Sequence, residues 1–325
     1  MIRTLHHAPL PDGQRLRVAE LQAPAASYAR AIRRFLQHKG QPWMTHVDLA
    51  NRGQVDHLRT TYTIGLLGRR IVGNVMIVGD GRVGILGHVF THPHHRRKGI
   101  CTELVAAALA QFRAAGGLAL GLGTGYRSPA YRIYHGFGFR SVESRSGAML
   151  LPCQPGALDR YFAHAPTQPA ELRWHHWAGL SLLFMLPAGD QLRSHALRVV
   201  GPAGFEGGFL HFQAHRQRLD ARARVLLTPE GSVAGAALCQ RNDRWPGAVY
   251  TLDLFVHPAF RRAAPALLHA LPLPRRAKLQ AVIDRPSAAR AAALRSQGFR
   301  HEATLAKQLR RRGRPVDVLI YGRHT

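Results

Sequence analysis

Acidic side chains are scarce in this chain. Only 18 Asp and Glu stand against 45 Lys and Arg in 325 residues, a formal net charge of +27. Lysine is scarce too, with Lys39, Lys98, Lys278 and Lys307 the only ones, so the positive charge is almost all arginine. Such a balance works against a polycationic partner and admits polyanions, nucleic acid or a membrane surface. The arginines are dispersed, however, and their densest run, Arg310-Arg311-Arg312-Gly313-Arg314, reads as a hairpin turn. Arginine in place of lysine, with abundant Ala, Gly and Pro, also follows from a GC-rich coding bias. A solvated basic surface is the expectation, and a nucleic-acid footprint is the lesser alternative.

Cysteine is nearly absent. Cys101, Cys153 and Cys239 form no CxxC pair, which excludes a disulfide framework or a cysteine zinc site and fits a reducing compartment. Long apolar runs are missing as well, none approaching the roughly 20 residues that span a bilayer. The opening segment Met1 to His7 has no signal-peptide stretch. The expectation is a cytoplasmic protein with no membrane partner. What the chain does have is length for two domains and 46% hydrophobic residues, enough to build cores. It also has 20 histidines. His92, His94 and His95 lie close together, but Pro93 breaks their spacing and no HxxxH or HExxH helix supports them, so no metal is expected.

The first half alternates β and helical patterns. Strands are expected at 15–20, 61–65, 71–78, 83–91 and 118–122, with turns at Gly68-Arg69-Arg70 and Asp80-Gly81. Helices are expected at 26–37, 99–115 and 128–135, and a closing hairpin at 139–151. The stretch 152–169 carries four prolines and reads as a linker, with one helical turn near Asp159 to Phe162. The plan then repeats. Leu252 to Arg262 parallels Gly87 to Arg97 at a constant offset of 165, and Leu294 to Arg300 parallels Tyr134 to Arg140. Internal duplication accounts for both.

The chemistry concentrates in Val89-Phe90-Thr91-His92-Pro93-His94-His95-Arg96-Arg97-Lys98-Gly99-Ile100-Cys101-Thr102. A strand ends, a basic turn follows, and a helix begins near Gly99. The first N–H groups of a helix lack intrahelical partners and sit at its positive end, which makes an anion site. Gly99 lets a phosphate approach the main chain, and Arg96, Arg97 and Lys98 add charge.

The spacing Arg96-x-x-Gly99-x-Cys101 resembles the pyrophosphate loop of the GNAT superfamily of N-acetyltransferases, whose pattern is Arg/Gln-x-x-Gly-x-Gly/Ala. Cys101 departs from it, and its small side chain is compatible with slight crowding. Downstream, Ser128 to Phe139 looks like the family's helix with a tyrosine before a Gly-Phe turn. The resemblance implies an α/β fold built on mixed sheets, in two tandem GNAT-like domains: 1–152 catalytic, 153–169 linker, 170–325 degenerate. It implies acetyl-CoA as co-substrate, with main-chain groups of Val89, Phe90 and Thr91 pairing to the pantetheine arm. The N–H groups from Arg97 to Thr102, Gly99, Ile100 and Cys101 among them, hold the diphosphate. Tyr134 protonates the departing thiolate, in keeping with general-acid chemistry. A tyrosine packed in the core is the plain alternative. His88, near neutrality by type, is the candidate base, and a half-buried strand histidine is equally compatible. Glu103 is read as a helix-dipole partner.

The second half has Ala264-Pro265-Ala266 in place of Gly99-Ile100-Cys101, and Leu294 in place of Tyr134. A Cβ, a missing N–H and a lost hydroxyl all disable the site, so one working site is expected. The reaction implied is direct attack of a small-molecule amine on acetyl-CoA, the first 150 residues holding only seven acidic side chains with which to attract a polycation. A non-catalytic acetyl-CoA sensor or scaffold and a nucleic-acid-binding protein are the alternatives. The sequence is silent on oligomeric state.

Overall fold

The computed structural model describes residues 2–187, 189–311 and 313–325, so Met1 and the expected turn residue Arg312 lie outside the described residues. The chain divides into two compact units, Met1–Leu158 with Arg173–Gly179, and Asp159–Leu172 with Leu180–Thr325.

The first unit runs β1 (Ile2–Pro9), β2 (Arg15–Gln22), α1 (Ala26–Leu36), α2 (Trp43–Asn51), β3 (Arg59–Leu67), β4 (Arg70–Gly79), β5 (Val83–Thr91), α3 (Ile100–Ala114), β6 (Ala119–Gly123), α4 (Pro129–Gly136), β7 (Arg140–Ser141) and β8 (Ala148–Pro152). One eight-stranded sheet has the order β1-β2-β3-β4-β5-β6-β8-β7. Neighbours are antiparallel except β5 and β6, the pair bridged by the α3 crossover.

Helix α3 packs closely on this sheet because glycine faces it. A Cβ at Gly73 would stand 2.7 Å from Leu104 Cδ1 and 2.8 Å from Ile100 Cγ2. Ile100, Leu104, Val105 and Leu109 are buried with Leu16, Val18, Val75, Leu120 and Phe139 in one cluster. Truncating a core leucine such as Leu104 to alanine costs about 2–5 kcal/mol. The amphipathic spacing of Ile32 and Leu36 buries one stripe of α1, and Met44, Val47 and Ala50 do the same for α2.

The stretch expected as a linker holds more structure than its prolines suggest. It contains α5 (Ala157–Tyr161), and its end runs into β9 (Gln168–Glu171), which pairs with a strand of the second sheet. The buried Tyr161 hydroxyl accepts from Val233 N at 3.1 Å, which fixes this segment to the second unit.

After α6 (Trp177–Met185), which belongs to the second unit from Leu180 onward, that unit continues with β10 (Leu192–Ser194), β11 (Val199–Val200), α7 (Glu206–His215), β12 (Arg222–Leu227), β13 (Val233–Arg241), β14 (Val249–Val256), α8 (Ala264–His269), β15 (Lys278–Asp284), α9 (Ala288–Ser296), β16 (Arg300–Arg311) and β17 (Arg314–His324). Its sheet order is β16-β17-β15-β14-β13-β12-β9, and β14 and β15 are its parallel pair. The series β12-β13-β14-β15-β17-β16 therefore matches β3-β4-β5-β6-β8-β7 strand for strand, including the position of the parallel pair. The fold is mixed α/β with two such sheets.

Candidate active site

Strand β5 is the centre of the site because it loses one neighbour halfway along. It pairs with β6 only at Val83, Ile85 and the residue between them, opposite Ala119 to Gly121. From Leu86 to Thr91 the β6 side of β5 has no partner strand among the described residues, although pairing with β4 continues to Thr91. At the same place β5 bulges. Met76 faces Gly87 and Asn74 faces Phe90, so His88 and Val89 stand opposite Val75 alone. His88 takes a left-handed φ of 47°, uncommon for a residue with a Cβ. The bulge is fixed from β4, where buried Asn74 donates through Nδ2 to the His88 carbonyl at 2.9 Å. Asn74 Oδ1 has no hydrogen-bond partner among the described residues. The sequence reading missed Asn74, since a bulge depends on the register between strands.

Beyond Thr91 a short 3₁₀ turn, Pro93–His95, leads to two left-handed residues, Arg97 (φ 62°) and Gly99 (φ 81°). Gly99 is the N-cap of α3, and a Cβ on it would meet nothing within 4 Å, so open space lies in front of the main chain. The first helical bond runs from Glu103 N to Gly99 O at 3.1 Å. No main-chain N–H from Gly99 to Thr102 meets a protein acceptor among the described residues. Four orphan donors at the positive end of a 15-residue helix form an anion cradle.

The basic side chains of the loop divide their roles. Arg96 Nε donates to Thr91 O at 3.2 Å, and its guanidinium lies 6.0 Å from the Phe90 ring centre. Arg97 is exposed. Lys98 binds Asp12 at 2.5 Å, and that bond holds the Asp12 carboxyl below its ordinary value. Among the loop cations predicted to meet phosphate, Lys98 is thus the one already neutralised.

Tyr134 on α4 is buried beside the start of α3 and packs in the same cluster as Cys101. Burial pushes its pKa well above the ordinary tyrosine value, and the neighbouring Cys101 adds to the shift. Its hydroxyl has no hydrogen-bond partner among the described residues, whereas the Tyr131 hydroxyl is committed to Ser141 Oγ at 2.9 Å. Ser128 caps α4 by accepting from Tyr131 N at 3.1 Å, which sets the helix that carries Tyr134.

On the opposite face of β5, His88 meets Trp43 edge-on at 6.0 Å, and Phe90 meets Phe35 at 5.1 Å and His38 at 3.9 Å. Burial, aided by the charge of Lys39 and then His38, lowers the His88 pKa to about 4. Lys39 reaches the Val89 carbonyl at 3.4 Å, and burial lowers its pKa too. Lys39 is a second residue that sequence reasoning missed, since nothing local marks it. Val89 turns its side chain to the α3 cluster. Among the described residues no group of three or more His, Cys, Asp and Glu is placed to hold a metal ion, and no helix is long and apolar enough to cross a membrane.

The site thus combines an open strand edge, a helix N-terminus with four unpaired main-chain donors, and a buried tyrosine beside it. Residues 27–139 match the model of the acetyltransferase (GNAT) family, so the first unit carries a GNAT acetyltransferase domain. Solved structures similar to this chain include an N-acetyltransferase from Staphylococcus aureus Mu50, 16% identical, covering 49% of this chain and 99% of that one at a TM-score of 0.39. A Salmonella typhimurium protein solved with its cofactor acetyl-CoA is 18% identical, covering 49% and 94% at a TM-score of 0.38. A ribosomal-protein-alanine N-acetyltransferase from Brucella melitensis is 19% identical, covering 49% and 99% at a TM-score of 0.37. No curated protein matches the sequence.

Proposed function

We propose that the first unit binds acetyl-CoA and transfers its acetyl group to a primary amine of a small molecule. The observation that carries this reading is the separation of β5 from β6 after Ile85, which leaves the Leu86 to Thr91 edge running towards the orphan N–H groups of α3. The residues present fit acetyl-CoA: its pantetheine amides can add to the bare edge, and its diphosphate suits the cradle reinforced by Arg96 and Arg97.

In the transfer a C–N bond to the amine forms and the C–S bond breaks. The proton of the attacking nitrogen passes to a base, and the sulfur takes one from an acid. Tyr134 is the acid, since burial keeps it protonated at neutral pH. His88 is the base. With its pKa near 4 it is neutral, the form that accepts a proton, and the nitrogen becomes strongly acidic once acylated, so a weak base suffices.

The acceptor follows from charge. Asp12, Glu20 and Asp48 are paired with Lys98, Arg3 and Arg33, and Glu103 faces His6. Asp80 and Asp56 accept main-chain N–H bonds. Lys39 meanwhile sits at the Val89 carbonyl. This balance favours a neutral or carboxylate-bearing amine over an aminoglycoside or a lysine-rich tail.

We read the second unit as a degenerate copy without a working site. Its α8 has Ala263 at the N-cap with a φ of −85°, Ala264 with a φ of −58° where the first unit has left-handed Gly99, and Pro265 in its first turn. Leu294, buried, occupies the place of Tyr134.

The test measures CoA-thiol release with an amine panel on wild type and Tyr134→Phe, together with acetyl-CoA stoichiometry. Acceptor-dependent release that falls at least tenfold in the variant, with one acetyl-CoA bound per chain, is the expected result. Binding without turnover of any amine would leave a sensor or scaffold, and strong turnover of an aminoglycoside would overturn the acceptor class.

A further inference from the structure

The second unit holds a cavity of about 710 Å³, and every residue lining it, from Leu192 to Val318, belongs to that unit. Small-molecule sites occupy roughly 300–1,000 Å³. Its inner wall is apolar, built from buried Leu192, Leu219, Val282 and Val318. Two polar side chains interrupt that wall. Gln240 and Thr251 stand opposite one another across β13 and β14, and both are mostly buried. Asn242 Nδ2 donates to Thr251 Oγ1 at 3.4 Å, whereas the Gln240 amide has no hydrogen-bond partner among the described residues. The amide is thus free to hydrogen-bond a polar group inside the cavity.

The mouth carries one sign of charge. Arg198, Arg218, Arg241 and Arg244 line it against the one carboxylate of Asp243, which Arg218 already binds at 3.1 Å. The guanidinium groups of Arg198 and Arg244 have no acceptor among the described residues. His211 also lines the cavity; burial lowers its pKa, and the charges of His215, Arg218 and Arg198 lower it further against the pull of Asp243. These basic groups all line the same cavity.

Apolar exposure collects at the same mouth. The large apolar side chains exposed among the described residues are Tyr126, Val200, Trp245 and Leu305. Val200 and Leu305 line this cavity, and Trp245 follows the lining residue Arg244. Exposed apolar surface beside unpaired arginines is the complement of an amphipathic anion.

We propose that this cavity binds a small organic anion, its carboxylate or phosphate head held by the arginines at the mouth and its hydrocarbon body lying on the leucine and valine wall. The second unit, a degenerate copy of the first as regards catalysis, then carries a binding site of its own. Gln240 hydrogen-bonds a polar atom partway along the ligand, and Arg198 and Arg244 supply charge-assisted bonds to the head.

Calorimetry on the full chain tests this with hexanoate, hexyl phosphate and neutral hexanol, on wild type, Arg198→Gln, Arg244→Gln and Gln240→Leu. At least one anion is expected to bind one to one, about tenfold more weakly in each arginine variant, while hexanol does not bind. Preference between the two anions identifies the head group. Gln240→Leu separates the wall from the mouth, because it removes the amide at nearly constant volume. Failure of both anions to bind overturns the proposal, as does hexanol binding equally well or affinity unchanged in all three variants. Displacement by CoA together with insensitivity to Arg198→Gln places the anion in the first unit and also overturns it.

Discussion

Asn74 donates through Nδ2 to the main-chain carbonyl of His88 at 2.9 Å, and this one bond ties the bulge of β5 to its neighbour β4. His88 holds a left-handed φ of 47° at that point, a conformation that lasts only when its surroundings enforce it. Asn74→Ala removes the donor and leaves a buried carbonyl unpaired, a cost of about 1–3 kcal/mol. The expected outcome is a lower melting temperature with a raised KM for acetyl-CoA, since relaxing the bulge moves Val89 and the open edge together. An unchanged KM in a folded variant would show that the bulge does not set the ligand edge.

Two glycines separate packing from binding. Gly73 faces the first turns of α3, where a Cβ would stand under 3 Å from Leu104 and Ile100, so Gly73→Ala displaces the helix and lowers stability by about 1–3 kcal/mol. Gly99 faces open space at φ 81°, so Gly99→Ala meets no neighbour and costs only backbone strain, about 1–2 kcal/mol. Its larger effect falls on the anion cradle. Acetyl-CoA affinity should drop at least tenfold in Gly99→Ala, and thermal denaturation beside a binding titration orders the two variants.

Much of this region could be read from the sequence because it is local. The strand 83–91 was legible from the Asp80-Gly81 turn before it, and the α3 and α4 starts from Gly99 and from Ser128-Pro129. What escaped was β1, an edge strand with Ala8 its one fully buried residue, and α2, which has no side-chain cap to announce it. The bulge, Asn74 and Lys39 escaped because each depends on a partner distant in sequence. In the second unit the aligned motifs showed what was lost. They could not show β10 laid against β14, since that placement is made by the carboxylates of Asp253 on β14 and Asp284 on β15.

Acid should weaken the first unit through its buried histidines. His46 has a pKa near 3, set by burial and then by His88, and His88 itself lies near 4. Both values are below the unfolded histidine value of about 6.5. The unfolded chain therefore binds more protons between those limits, so the stability contribution is complete above pH 6.5 and is lost as pH falls through 4 to 3. The midpoint of denaturant unfolding should fall steadily from pH 6.5 to 4, and His46→Gln should flatten that slope. For the same reason His88 adds no limb to the pH–rate profile near pH 6.5. A histidine-like break there would exclude the assigned base.

Asp253 holds β10 in the second unit, at the position aligned with His88 of the first. Its carboxylate accepts from Ser194 Oγ at 2.6 Å, His195 N at 2.8 Å and Ala196 N at 3.0 Å. Asp253→Ala leaves these donors unpaired, and a loss of about 1–3 kcal/mol for each donor that stays buried is expected. Proteolysis should then cut between Gln191 and Val200 before any site in the first unit, and mass spectrometry of early fragments checks it. Fragments that instead begin in the first unit would mean that Asp253 does not anchor the segment.

Glu206 gives the opposite pH response. It opens α7 half-buried, its shielded Oε1 has no hydrogen-bond partner among the described residues, and burial raises its pKa to about 7. That is above the unfolded glutamate value of about 4.3. The folded chain then binds the extra proton, so this stability is present below pH 4.3 and is lost as pH rises through 7. Glu206→Gln keeps the shape and cannot ionise. The variant should match wild type at pH 4 and exceed it at pH 8.5 by up to about 3 kcal/mol, the cost of ionising a carboxyl shifted this far. Chemical denaturation at the two pH values measures the gap. A gap of the same size at both would show that Glu206 acts through packing alone.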